Sequence, residues 1–363
     1  MSKSAIDTAA SHLVSLRETA PTNEDLAVLD QHGVAGVLAQ AWMTKDASIP
    51  LPQALKTLRT NAALQHSLQM NAARSAVRLF RSAGIDSIVF KGGALSHQIY
   101  AAGERPHCDI DILISESHRH RAIDLIKGQG FEQNLSLAGG ELMHQLLFRR
   151  WVGEAVLRID LHWRFSNRPV LNQSITVDRV FAQSVELAVG NNATVRAPSI
   201  EAGLLLACAH LAGHHHDETP RLIWLIDIAR LWNAGNHHKI QLLASEWGVS
   251  GLLAHGLELA QRYAPEEMGE LPLAELKEAG IKQQASRLLS GGGPLHDIVL
   301  DLSALPELSR KFRYLADTAL PSSAYMAQRY DLKSRWQLPA AHIRRWCSGA
   351  VKLLAGRRRN ANH

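Results

Sequence analysis

Residues 87–114 read Ser-Ile-Val-Phe90-Lys91-Gly92-Gly93-Ala-Leu95-Ser-His-Gln-Ile-Tyr100, a short link containing Arg105, and then Asp109-Ile-Asp111-Ile-Leu-Ile114. The run 87–90 is of β type, and a helical stretch from Gly92 to Tyr100 follows it. Glycines where a helix begins let backbone N–H groups approach an anion closely, and the helix dipole favours negative charge there. Lys91 adds a full positive charge at the same turn. The run Asp109–Ile114 is a second β-type segment. In a strand, residues i and i+2 share a face, so Asp109 and Asp111 lie side by side while Ile110, Ile112 and Ile114 pack behind them. Two adjacent carboxylates repel and call for a cation, and oxygen ligands of this kind suit Mg²⁺ held jointly with phosphates.

A third carboxylate follows. In residues 156–164, Leu157, Ile159, Leu161 and Trp163 alternate with Arg158, Asp160, His162 and Arg164. This is the period-2 pattern of a strand with one apolar and one polar face. If this strand neighbours Asp109–Ile114, Asp160 completes a three-carboxylate cluster. Such a cluster can hold two metals roughly 3.5–4 Å apart.

Working outward, residues 1–83 read as helices. Leu26, Val28, Leu29, Val34, Val37 and Leu38 recur at helical spacing. After Pro50 and Pro52, a long helix places Leu55, Leu58, Leu64, Leu68, Ala72, Ala76, Val77 and Phe80 on one stripe, and Gly84 ends it. A helix is expected near Ser117–Lys127, closed by Gly128 and Gly130, and further strands at Leu142–Arg150 and Glu154–Phe165. The polar link Gly190-Asn191-Asn192 and Pro198 precede an almost wholly helical last third. Its expected helices are Ser199–Ala212, Arg221–Ala234, Ile240–Trp247 and Leu252–Tyr263, with more to Leu354. The expected organisation is a helical region over 1–83, a mixed α and β domain over 84–197, and a helical region over 198–363. The fold class is α+β: a small mixed sheet with flanking helices.

Residues Lys91-Gly92-x-x-Leu95, Tyr100, Arg105, Asp109-x-Asp111 and Ile159-Asp160-Leu161-His162-Trp163 together resemble the bacterial family called uncharacterised nucleotidyltransferases, of the DNA polymerase β superfamily. Pro198–His210 and Trp224-Leu-Ile-Asp227-Ile-Ala-Arg230 are similar to it too, so the resemblance spans roughly residues 20–265. It implies the nucleotidyltransferase fold and Mg²⁺-dependent transfer of a nucleotidyl group, most simply AMP from ATP. It places Asp109, Asp111 and Asp160 at two Mg²⁺ ions, and Lys91, Gly92, Gly93 and Arg105 at the phosphates. The block around Lys91 is also similar to toxin nucleotidyltransferases of abortive-infection systems, which brings RNA into view as an acceptor.

His162 shares a face with Asp160 and reads either as a contact to phosphate or acceptor, or as a hydrogen-bonding partner of that carboxylate. His210, His214, His215 and His216 crowd one helix end. There His210 and His214 share a face, no HExxH pattern is present, and a polar helix end lining the acceptor pocket, or a merely solvated loop, is favoured over a zinc site. Asp227 reads as a structural ion-pair partner.

Composition bounds the rest. The chain has 363 residues, 46% hydrophobic and 20% charged, ordinary globular usage that excludes collagen-like and disordered classes. Cys108, Cys208 and Cys347 form no C-x-x-C pair, which excludes a zinc ribbon or thioredoxin-like motif. Lys and Arg total 39 against 34 Asp and Glu, with three of the arginines in the terminal triplet Arg357–Arg359. The thin basic excess favours a small-molecule, sugar or peptide acceptor over RNA, and the intact carboxylate set disfavours a nucleotide-binding module without turnover. The first residues lack an apolar core, and Ala202–Gly213 is too short for a membrane span. A cytoplasmic protein without membrane association is expected, and the sequence carries no signal for oligomeric state.

Overall fold

The computed structural model describes residues 5–15, 21–45, 50–133, 143–190, 193–214, 220–265, 268–291 and 293–348. The long apolar helix of the N-terminal third is α4 (Gln53–Ser82), preceded by α1 (Ala5–Ser15), α2 (Asn23–Gln31) and α3 (Ala35–Lys45). Thr22 caps α2 in a capping box with Asp25. Leu55, Ala72, Ala73, Ala76, Val77 and Phe80 bury along α4, but Leu64 is 58% exposed. It lies nine residues from Leu55, half a turn round the helix, so the long stripe drifts off the core there.

The sheet order is β1-β2-β5-β4-β3. β1 (Ser87–Phe90) leads into α5 (Lys91–Gln98), which returns to β2 (Ile110–Ile114); α6 (Arg119–Gly128) leads to β3 (Glu132–Gln133), and a meander forms β4 (Gln145–Val152) and β5 (Ala155–His162). β1 and β2 are antiparallel, β2 and β5 parallel, and β4 antiparallel to both β5 and β3. The expected strand at Leu142–Arg150 is thus shifted to begin at Gln145, with Leu142 outside the described residues. Asp109 sits in a bend one residue before β2.

The alternation of the strands sorts their side chains between two cores. Ile110, Ile112, Ile114, Leu157, Ile159, Leu161 and Trp163 pack with the second half of α4 and with α6. Ile88, Phe90 and Leu113 point to the other side, into a core shared by α1–α3 and the C-terminal helices. Side chains at successive strand positions must go to opposite faces, so the polar residues between those apolar ones are delivered together to the second side.

After β5 come two short helices, α7 (Pro169–Ser174) and α8 (Val177–Ala182), and a hairpin of β6 (Ser184–Ala188) and β7 (Thr194–Pro198). The polar stretch at 190–192 therefore joins two paired strands, and its Gly190 takes φ +84, which favours glycine. Four helices follow: α9 (Ile200–Gly213), α10 (Leu222–Ala234), α11 (His237–Trp247) and α12 (Ser250–Tyr263). Beyond them lie α13 (Leu273–Gly280), α14 (Gly293–Ala304), α15 (Leu308–Ala319), α16 (Ser323–Arg329) and a helix over 338–348. α9 is apolar nearly all round, as a helix at the centre of a core must be. Arg168 holds α14 by donating to Asp301 and Asp297, and Tyr314 of α15 donates to the same Asp301. Among the described residues no helix is long and apolar enough to cross a membrane.

A buried carboxylate–histidine site at the β2–β5 seam

β2 and β5 run parallel with Asp111 opposite Asp160. Because Ile110, Ile112 and Ile114 of β2 and Leu157, Ile159 and Leu161 of β5 are committed to the α4 side, both carboxylates face the other side, and so does His162. Asp111, Asp160 and His162 are buried and offer ligand atoms that all lie within 4.8 Å of one another. His162 Nε2 donates to Asp111 Oδ1 at 2.9 Å and lies 3.5 Å from Asp160 Oδ2. Gln145, opposite His162 on β4, donates to Asp160 Oδ2 at 2.6 Å. Asp160 Oδ1 is buried without a hydrogen-bond partner. A buried acceptor left unpaired is costly, and it is a ready ligand atom for a cation.

Lys91 closes the cluster from β1. Its Nζ donates to Asp111 Oδ1 at 2.7 Å and lies 3.4 Å from His162 Nε2. Its backbone takes φ +50, a conformation that costs a non-glycine residue about 1–3 kcal/mol. The ion pair with Asp111 holds the side chain in that strained turn. The charges set the protonation states. Burial alone would raise the Asp111 carboxyl, but the Lys91 charge and the His162 hydrogen bond hold it well below the usual range. Burial opposes the charge on Lys91 too, yet Asp111 and Asp160 raise its pKa. His162 is lowered by burial and by Lys91, but Asp160 and the hydrogen bonds prevail and raise it. Asp109, in its bend, stands outside the tight trio. Burial, then the Asp111 and Asp160 charges, push its carboxyl up to about 6.

Gly92 and Gly93 have a packing reason to be glycine. A Cβ on Gly92 would come within 2.5 Å of Arg105 Nη1, and one on Gly93 within 2.8 Å of Ile110 Cδ1. The helix start is therefore seated on the Arg105 guanidinium and on β2. Arg105 in turn donates through Nε and Nη2 to the two oxygens of Asp227 on α10, each at 2.7 Å. Tyr100 also donates to Asp227, at 2.7 Å, and Arg230, one turn on, pairs with buried Glu104. Arg105, expected beside phosphate, thus spends its fork on Asp227, the residue read as a structural partner.

A cavity of about 690 Å³ opens over this face, with Lys91, Asp109, Asp111, Asp160 and His210 on its wall. His210 stacks edge-on against Trp224 (centroids 4.8 Å) and His214 (4.6 Å). Burial, then the Lys91 charge, push His210 well down, so it is neutral. His215 and His216 lie outside the described residues.

His107 is also on the cavity wall, and it heads a row of three histidines. His107 Nδ1 donates to the carbonyl of Asp109 at 2.9 Å, since a carbonyl can only accept. His107, pushed down to about 3 by burial and by the neighbouring His66 and Arg105 charges, is neutral and accepts at Nε2 from His66 Nδ1 at 2.5 Å. His66 then accepts at Nε2 from His97, at 2.9 Å. The tautomers of all three follow from one carbonyl. Sequence spacing gave no hint of this chain, nor of Gln145, whereas His162 was visible from its place two residues beyond Asp160.

A family model described as uncharacterised nucleotidyltransferase matches residues 21–265, and the chain belongs to that family of nucleotidyltransferases. No curated protein matches it. Among solved structures it is similar to ANT(2″)-Ia in complex with adenylyl-2″-tobramycin, at 14% identity and a TM-score of 0.35, over 50% of this chain and 97% of that one. It is also similar to an antigenic nucleotidyltransferase-like protein from Paracoccidioides brasiliensis, at 18% identity and a TM-score of 0.36, over 63% of this chain and 95% of that one.

Proposed function

We propose that this member of the family transfers a nucleotidyl group, AMP from ATP, to a hydroxyl on a small molecule, sugar or peptide, with Mg²⁺ as the cation. The observation that carries the reading is the buried Asp111–Asp160–His162 group, with an unpaired Asp160 Oδ1, at a cavity that Asp111 and Asp160 line. Carboxylate oxygens fit a hard cation, and the orphaned oxygen fits a ligand position. Asp111 and Asp160 would hold the cation, with Asp109 beside them. One or two Mg²⁺ ions, when bound, supply neutralisation of the triphosphate and acidify the acceptor hydroxyl.

The chain's own residues do the rest. The acceptor oxygen forms a bond to the α-phosphorus, the bond from that phosphorus to the bridging oxygen breaks, and pyrophosphate leaves. Asp160 helps take the hydroxyl proton, a task that needs the base within hydrogen-bond reach. Lys91 and the Gly92–Gly93 turn hold phosphate oxygens, Lys91 as a point charge. Arg105 acts on the phosphates through Gly92, by fixing the turn from below. His162 orients the two carboxylates, and His210, with His214 stacked against it, walls the acceptor side.

The test is Asp111→Asn and Asp160→Asn, assayed for pyrophosphate release from ATP with Mg²⁺ and cell-extract acceptor fractions. Each should lose several kcal/mol of transition-state stabilisation, that is, about a thousandfold or more in rate, with the thermal melt retained. Full turnover in either variant, or in excess EDTA, would refute the mechanism.

A further inference from the structure

The cations expected at the phosphates are already paired: Lys91 with Asp111 and Arg105 with Asp227. Two other arginines on the same cavity wall have no carboxylate partner among the described residues, Arg158 of β5 and Arg221 at the start of α10. Arg158 shares the polar face of β5 with Asp160, two residues away, which places their Cα atoms about 7 Å apart along the strand. Its Nη1 lies 3.5 Å from the carbonyl of Cys108. Arg221 lines the same cavity from the start of α10. Its Nε donates to the carbonyl of Gln31 at 3.2 Å, and its guanidinium lies against Gly33, where a Cβ would come within 2.9 Å of Nη2. Gly33 takes φ +71, so the turn after α2 is shaped to seat this arginine. The same turn caps α10: His32 accepts at Nδ1 from Leu222 N–H and at its carbonyl from Ile223 N–H. Both guanidinia thus belong to the wall of one cavity, which Cys108 and Asp109 also line.

From this shared placement we infer that Arg158 and Arg221 form an anion subsite on the cavity wall, taking a phosphate or carboxylate group. A planar guanidinium with free N–H groups matches either anion bidentately. Two of them on one cavity wall, each anchored by a backbone carbonyl, make a site held ready. The inference rests on the nucleotidyltransferase reading for its ligands: the anion is either the far end of the triphosphate or an acidic group on the acceptor.

Isothermal titration of the full chain with Mg·ATP, and of the chain with and without saturating Mg²⁺ and α,β-methylene ATP, with inorganic phosphate and with lactate, distinguishes the two. The variants are Arg158→Gln and Arg221→Gln, with Arg158→Lys and Arg221→Lys as charge-retaining controls should glutamine disturb the cap of α10. Loss of a charge-assisted pair should weaken binding about ten- to hundredfold, and lysine should restore part of it. A loss in Mg·ATP affinity assigns the subsite to the triphosphate. Unchanged Mg·ATP affinity with lost phosphate or lactate binding assigns it to the acceptor. Glutamine variants that bind every probe like the wild type, or a wild type that binds none, overturn the inference. Absence of Mg·ATP binding together with arginine-dependent phosphate binding would instead sink the nucleotidyltransferase reading and leave the subsite standing.

Discussion

Asp111 Oδ1 accepts from both Lys91 and His162, so one oxygen ties β1, β2 and β5 together. Nearby, a row of histidines is held neutral by burial, with the Arg105 charge acting on His107, the member of the row on the cavity wall. Burial and neighbouring charge push His66 down to about 4 and His107 to about 3, from 6.5. An unfolded chain takes up those protons below about pH 6.5 while the folded one refuses them until near pH 4. Stability is therefore full above pH 6.5 and falls as pH drops through that window, by about 1.4 kcal/mol per pH unit for each such histidine. Urea unfolding at pH 7.5 and 5.5 should show this loss, and His66→Gln should make it shallower. Equal pH dependence in the two proteins would mean that the chain of imidazoles does not hold its neutral form.

Between elements, the Arg105–Asp227 pair fastens the α5 turn to α10. Both side chains are buried, so Arg105→Ala leaves the Asp227 carboxylate without its cation, held by the Tyr100 hydroxyl, and should cost about 3–5 kcal/mol of stability. Arg105→Lys should restore little, since lysine cannot span both carboxylate oxygens. Thermal melts with nucleotide titrations check this: an unchanged melting temperature with weakened nucleotide binding would return Arg105 to direct phosphate contact. The partners are 122 residues apart in sequence, and that separation is why the pairing could not be read beforehand. The strand–turn–helix–strand run from Ser87 to Ile114 was readable because its period, glycines and paired aspartates are local. So was the polar face of β5. The hairpin β6–β7 escaped because most of its residues are exposed or half-buried, leaving no apolar run. The site divides the same way: Asp111, Asp160 and His162 follow from alternation, whereas His66, Gln145 and Asp227 join it only through tertiary packing.

Over the whole molecule, charge is uneven. Residues 1–307 carry 27 Lys and Arg against 32 Asp and Glu, while 308–363 carry 12 against 2. The part that holds the site is thus net acidic and poorly suited to gather polyanions. Bulk tRNA should bind weakly, and deletion of residues 357–363 should leave nucleotide turnover nearly unchanged; filter binding at two salt concentrations checks the first point, because an RNA reader weakens steeply with salt. Efficient labelling of tRNA, lost on that truncation, would put RNA in place of the small acceptor. The central claim is that the α-phosphorus is attacked at the Asp111–Asp160 site. ATP labelled at the α-phosphate or at the γ-phosphate, incubated with Mg²⁺, the protein and fractionated extract, tests it most directly. The account predicts α-label on the acceptor and γ-label only in pyrophosphate, with neither transferred by Asp160→Asn; γ-label on the acceptor would contradict it.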